Sequence, residues 1–331
     1  VSGDELSQVR ETNVVNSLSG RVAGVQVGTN SGAMGGSAKV TMRGVSSING
    51  DNNALFVVDG VPISNSNTNS VNQQRGGGGY DYGSPIQDIN PNDVAEVTVL
   101  KGAAATALYG SRGANGVIMI TTKKGSKKDG IGVNYTLGYT MDKVYKLPNY
   151  QNTYGGGFGF TKLYKNENPE AFPEGRDGAY NDNDGKGSYD LVPDYNVDES
   201  WGPKYEGQLY RPYWSWDKDS GNPNFGALAK WEAQPDNIRN FFETGKTLTN
   251  TIAFDGANEK GSFRLSYSNL DQNFILPNSK LNRHNLGFNG ALNLNEKLTV
   301  SASANYVTHE AVGRPGTGYD GNNLMLQFTQ W

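Results

Sequence analysis

A chain of 331 residues is longer than one ordinary domain needs, so two structural units are expected. Apolar residues make up only 35% while Gly reaches 44 and Tyr 18, which suits many turns and two-faced strands rather than a thick apolar core. The net charge of −4 gives no reason to expect nucleic acid or an anionic lipid surface as partner, and zero cysteines exclude disulfides, thiolate nucleophiles and Cys-ligated metal centres.

The chain opens Val1-Ser2-Gly3-Asp4 without a basic start or an apolar stretch, so no signal peptide is read and a mature or truncated chain is expected. No apolar run is long enough for a membrane helix. The first segment reads as a small α+β domain. Thr12 is placed to cap a helix in which Val14, Leu18 and Val22 recur every four residues, with Gly24 ending it. Short strands are expected at Val25 to Val27, Lys39 to Met42 and Leu55 to Val58, the last stopped by Asp59-Gly60. Asn65 to Gly79 is polar, and its run Gly76 to Gly79 has no reason to hold one shape. A strand through Val97 to Leu100, an Ala-rich helix from Ala103 to Leu108 and a strand Val117 to Ile120 complete the domain near Gly125. Lys123, Lys124, Lys127 and Lys128 read as a solvated connector.

After Gly130 the pattern changes to strict alternation. Ile131, Val133, Tyr135, Leu137 and Tyr139 are apolar, and Gly132, Asn134, Thr136, Gly138 and Thr140 between them are small or polar. The same period returns in Leu248 to Phe254, Phe263 to Tyr267, Leu286 to Leu294 and Leu298 to Tyr306, giving five strands. Short connections, Gly256 to Gly261 and Asn295 to Lys297, alternate with longer ones, Asp271 to Asn282 and Val144 to Gly245. Alternating turns and loops, with apolar rows against Ser, Thr, Asn, Ala and Gly, match a membrane barrel better than a soluble sandwich. Five strands do not close such a barrel, so the biological chain is expected to continue past Trp331.

The run Val97-Thr98-Val99-Leu100-Lys101-Gly102-Ala103 through Tyr109-Gly110-Ser111-Arg112-Gly113-Ala114-Asn115-Gly116-Val117 to Gly125 resembles the end of the plug domain in SusC/RagA-type TonB-dependent outer-membrane transporters. Asn16 to Val25, Met42-Arg43-Gly44 and Val58-Asp59-Gly60-Val61-Pro62 resemble the other plug motifs, in order. The resemblance covers residues 4–125 and, more loosely, the strands beyond. It implies an α+β plug domain (1–128) inside an antiparallel transmembrane β-barrel of about 22 strands, whose N-terminal part is 129–331. It also implies uptake of a large nutrient, glycan or oligopeptide, a SusD-like lipoprotein lid, and pulling by TonB on an N-terminal segment absent here. The alternative is a SusC-like barrel serving as a non-transporting subunit of a larger outer-membrane machine for protein secretion or barrel assembly.

Within the plug motifs, Gly44, Gly60, Gly102, Gly110, Gly113 and Gly116 stand where the chain must turn sharply, together with Asp59, Tyr109 and Asn115. Arg43, Lys101 and Arg112 are the cations expected to face the lumen wall; a bland reading makes them surface charges. Residues 145–245 read as a long extracellular loop with 16 Asp/Glu against 10 Lys/Arg. Trp201, Tyr205, Tyr210, Tyr213, Trp214, Trp216 and Trp231 there could pack on one another, meet a lid, or stack on substrate. Asn181-Asp182-Asn183-Asp184-Gly185 fails as an EF-hand, since Tyr180 and Leu191 stand where acids are needed; only an irregular calcium site near Asp182 and Asp184 stays open, and no other cofactor is expected. Gly245-Lys246-Thr247 lacks the upstream glycine of a phosphate loop, because Asn240 stands there. The two histidines, His284 and His309, form no paired constellation, so no enzyme is expected.

Overall fold

The computed structural model describes residues 1–8, 13–29, 34–45, 47, 52–64, 73, 76–126, 130–194, 196–197, 199, 201–218 and 221–330. It divides into two compact units, Val1–Val144 with Phe242–Asn322, and Tyr145–Phe241 with Asn323–Trp331.

In the first unit the N-terminal part builds a small sheet in the order β4-β3-β7-β6, from β3 (Leu55–Val58), β4 (Val61–Ile63), β6 (Val94–Leu100) and β7 (Val117–Thr122). Asp59 and Gly60 both take positive φ, 48° and 87°, the geometry of a two-residue hairpin turn, which joins β3 to β4. The Asp59 carboxylate then accepts from the Thr122 amide and hydroxyl at 2.9 and 2.6 Å, pinning the turn to β7. The strands β1 (Val25–Thr29) and β2 (Ala38–Met42) form a separate antiparallel pair. Helix α1 (Gly3–Gln8) inserts Leu6 into the core, where it meets Val14, Leu18, Val40, Phe56, Val94 and Ile118.

The helix expected over Val14 to Val22 is absent. Turns and a single 3₁₀ turn, Asn16–Leu18, occupy this stretch, and Ser19 is already extended at ψ 127°. Asn13 Oδ1 accepts from the Val15 amide, a local bond that competes with helix, and Gly20 takes φ 73°. The four-residue recurrence recorded which valines and leucines are buried, not a helix. The expected cap at Thr12 lies outside the described residues. Helix α2 (Ala103–Tyr109) forms as expected, between Gly102 and Gly110 at φ 60° and 59°.

The chain then makes an antiparallel meander of five long strands, ordered β17-β16-β15-β14-β8. These are β8 (Gly132–Asp142), β14 (Gly245–Asn258), β15 (Gly261–Asn273), β16 (Lys280–Asn295) and β17 (Leu298–Val312). Tight turns close one end: Asn258 pairs with Gly261 and Asn295 with Leu298, and each asparagine carbonyl oxygen accepts an amide of its own turn. Longer connections lie at the other end. The faces are inverted relative to a soluble sheet. Val133, Tyr135, Leu265, Tyr267, Phe288, Leu292 and Val300 are exposed, whereas Thr251, Arg264, Ser266, Ser268, Gln272, Arg283 and Asn285 are buried. The buried polar row faces the N-terminal domain, so this is a plug against a barrel wall.

The second unit carries its own sheet instead of a structureless loop. The strands β9 (Phe160–Tyr164), β10 (Tyr180–Asn181), β11 (Ser188–Pro193), β12 (Leu209–Tyr210) and β13 (Ala229–Lys230) order as β10-β11-β12-β13, with β9 also on β11. Helices α3 (Asn237–Phe241) and α4 (Leu324–Gln330) belong to it, with Phe241 and Phe328 edge to face at 5.3 Å. Its buried centre is ionic. Asp190 accepts from Arg211 at 3.1 Å, from Arg176 and from the Ala179 amide, and Arg211 also donates to Ser215 and to the Ala171 carbonyl.

Candidate functional site

The seam between plug and wall is mainly polar, with one apolar contact where Met34 packs on Leu270 and Leu281. Asp93, on the 3₁₀ turn Pro91–Asp93, accepts from Arg264 at 2.9 Å and from the Ser266 hydroxyl at 2.9 Å. The buried guanidinium of Arg283 donates to the Gln87 carbonyl at 2.6 Å, and the Asn285 amide donates to the Asp88 carbonyl at 2.6 Å. Asn289 reaches Thr122 and the Lys123 carbonyl, both at 3.1 Å, Asn92 donates to Thr251 at 3.1 Å, and Ser126 donates its hydroxyl to Asp255 at 2.5 Å. His309 Nδ1 lies 3.6 Å from the Asp88 carboxylate. A polar cavity of about 520 Å³ opens along this seam, lined by Asn92, Lys123, Ser126, Thr136, Asp255 and Arg264.

A second attachment joins the plug to the chain after β17. β5 (Gly79–Tyr80) pairs with β18 (Gly316–Thr317), Gly77 bridges to Tyr319, and Arg314 donates to the carbonyls of Met34 at 2.7 Å and Asp81 at 2.9 Å. Gly76 to Gly79, read from sequence as shapeless, therefore has a defined partner. The glycines there answer to contact: a Cβ on Gly78 would stand 2.1 Å from Asp320, and one on Gly318, at φ 72°, 2.4 Å from the Gly77 carbonyl oxygen. Asn65 to Arg75, apart from Gln73, lies outside the described residues.

Of the three cations expected at the wall, Lys101 and Arg43 meet neighbours within the plug, and among the described residues none bonds to the five strands. Lys101 donates to the Ala23 carbonyl, the Arg43 guanidinium would touch a Cβ on Gly102, and Arg112 sits in the 3₁₀ turn Gly110–Gly113. On the five strands the wall supplies the cations Arg264 and Arg283, joined by Arg314 just after β17, and the plug answers with backbone carbonyls and the Asp93 carboxylate. The signal was present in the sequence. Arg264 stands between Phe263 and Leu265, and Arg283 shares the parity of Asn285 and Asn289 on β16, so both occupy inward positions where a buried cation needs an acceptor. Of the signature turns, Gly44, Gly60, Gly102, Gly110 and Gly116 all take positive φ, Tyr109 ends α2, and Asn115 lies in the turn before β7.

The aromatic residues of the second unit divide. Trp231 packs with Tyr205 at 5.5 Å, Tyr210 at 4.8 Å and Phe160 at 5.1 Å, while Trp216 lies over the Arg211 guanidinium at 5.2 Å. Burial pulls Arg211 below its ordinary value, and Asp190 opposes that shift. Trp201, Tyr213 and Trp214 are left 70, 79 and 51% exposed, with Trp201 tilted on Tyr154. Asp182 spends its oxygens on the Tyr164 hydroxyl, the Asp184 amide and the Lys162 ammonium, which hold its carboxyl well below the usual range. A calcium ion near Asp182 and Asp184 would have to displace those donors, and among the described residues no three His, Cys, Asp or Glu side chains gather for a metal.

Residues 1–117 match the TonB-dependent Receptor Plug Domain family. Over 146 residues, 44% of this chain, the sequence is 40% identical to the TonB-dependent receptor SusC of Bacteroides thetaiotaomicron, of which it covers 14%. It is 37% identical over 153 residues to the TonB-dependent receptor P26 of Formosa agariphila, covering 45% of this chain and 13% of that one. The RagAB peptide importer in its open-open state superposes with a TM-score of 0.65 at 23% identity, covering 95% of this chain and 30% of that chain, which speaks for the fold. The chain thus spans about an eighth of these curated relatives' length.

Proposed function

We propose that this chain is the plug and five barrel strands of a SusC/RagA-like TonB-dependent transporter, and that the whole protein actively imports a large nutrient, a glycan or an oligopeptide, across the outer membrane. The observation that carries the reading is the inverted wall: exposed apolar rows toward lipid and a buried polar row that holds a plug by hydrogen bonds. A lumen filled by a hydrogen-bonded domain is a closed gate, and opening it against those bonds requires external work, which a TonB complex would supply through the segment preceding the plug. One structural relative is named as a peptide importer, which supports the oligopeptide branch. A SusD-like lipoprotein over the extracellular mouth is part of the proposal, and Trp201, Tyr213 and Trp214 are the aromatic side chains free to meet it or the substrate.

The test is uptake of labelled oligosaccharides and oligopeptides by cells carrying the full-length protein, with and without a functional TonB system. TonB-dependent uptake of one class is the expected result. Absence of uptake, with the protein recovered in fixed ratio with secretion or assembly subunits, would establish the non-transporting alternative.

A further inference from the structure

The plug's 3₁₀ turn Pro85–Asp88 lies against the inward faces of β16 and β17. Arg283 and His309 stand side by side in register on those two strands. The backbone of the turn is well served, since Arg283 takes the Gln87 carbonyl and Asn285 the Asp88 carbonyl. The Asp88 side chain is not. Among the described residues its Oδ1 is buried and accepts no hydrogen bond, and the group that faces it is His309 Nδ1, at 3.6 Å. A buried carboxylate oxygen without a donor is expensive to keep charged. One proton added to the pair answers that charge, because an imidazolium donates to a carboxylate with both charge and hydrogen bond.

The other charges in reach are engaged or turned away. Arg283 is the second cation acting on Asp88. Asp93 is held by Arg264 nearer the tight turns, Arg314 donates to the carbonyls of Met34 and Asp81, and Glu310 has the opposite parity on β17, facing outward with Asn282. We propose that Asp88 and His309 form a proton-binding latch between plug and wall: seating the plug takes up a proton, and losing that proton loosens the turn Pro85–Asp88 from β16 and β17. Burial pushes the Asp88 carboxyl up from its ordinary value, with the charges of His309 and Arg283 opposing. An acid raised in the seated state keeps its proton more firmly there, so the stability it contributes is complete below its unseated value and is lost as pH rises. An imidazole facing a carboxylate loses its charge in the same direction, between about pH 5 and 8. The two titrate as a pair, and the grip weakens from mild acid toward neutral and alkaline pH.

The proposal rests on the plug-in-barrel reading above, and the experiment separates the two. Hydrogen exchange is followed in the full-length protein in detergent at about pH 5.5 and about pH 8, each amide rate divided by that of the unfolded chain at the same pH. The amides of Gln87 and Ile89 close the turn onto the Ser84 and Ile86 carbonyls and report its seating. In the wild type their protection is expected to be about tenfold greater at the lower pH. Asp88→Asn, neutral throughout, should hold its protection within about twofold between the two, and His309→Leu should lose most of the protection at the lower pH. Equal wild-type protection at both pH values overturns the latch, as does a wild-type pH profile in either variant. Exchange at Asn90 to Val94 as fast as in an unfolded chain, at both pH values, would refute the plug-in-barrel reading itself, a distinct outcome.

Discussion

Asp93 is an acceptor shared between plug and wall, taking hydrogens from Asn90, Arg264 and Ser266. Asp93→Ala strands Arg264 in a nearly buried position, and breaking such a pair costs about 3 kcal/mol, less where water still reaches it. The expected readout is faster hydrogen exchange through Asn90 to Val94 in the intact protein, with Asp93→Asn intermediate because it keeps an acceptor for Ser266; unchanged exchange in Asp93→Ala would refute the role. In the second unit Asp182 supplies a pH dependence. Its folded value is depressed, so the stability it contributes is complete above the unfolded value near ~3.9 and is lost as pH falls through and below it. Limited proteolysis of the β9–β11 region should accelerate between about pH 4 and pH 2, and Asp182→Asn should flatten that change.

At the scale of the element, the meander fixes the depth of each outward residue. Leu265 and Phe288 pair near the middle of the apolar band, whereas Leu292 lies beside the tight turn. Leu265→Arg should therefore cost about 2–4 kcal/mol in folding into lipid, Leu292→Arg about 1 kcal/mol or less, and the inward Asn293→Arg should be tolerated. Equal losses for all three would argue against a membrane face. Much of this was legible, because alternation needs only neighbouring residues and each turn asparagine sits between two alternating runs. The strand ends were not: β14 and β16 run several residues beyond their apolar positions, since pairing with neighbours extends a strand past its lipid contact. The β5–β18 clip was illegible for a stronger reason. Gly76 to Gly79 has no pattern of its own, and its order comes from residues more than two hundred positions away. Gly318→Ala, strained at φ 72° and set against the Gly77 carbonyl, should loosen the clip by about 1–3 kcal/mol, seen as faster exchange at Gly77 to Tyr80.

For the whole molecule, the acidic and aromatic composition of 145–245 suggested loop. The fold it adopts is built on a buried Asp190–Arg211 pair that composition does not reveal. That core claims Tyr205, Tyr210, Trp216 and Trp231 for internal packing and leaves a smaller exposed set. Tyr213→Ala with Trp214→Ala should weaken capture of a lipoprotein lid by about 2 kcal/mol or more without unfolding the unit, measured by pull-down from detergent extracts. Undiminished capture would direct attention to Trp201 or to substrate.

The seam's polarity also has a calorimetric signature. Unfolding the plug exposes Phe56, Leu18, Ile118 and their neighbours, and wetting apolar surface raises the heat capacity. Drawing the intact plug away from the wall uncovers mainly Arg264, Ser266, Arg283, Asn285 and backbone carbonyls, and wetting polar surface lowers it. The two events therefore carry heat-capacity changes of opposite sign. Cooling weakens the apolar core while leaving the grip on the wall nearly untouched, so the balance between a plug that slides and a plug that unravels shifts with temperature.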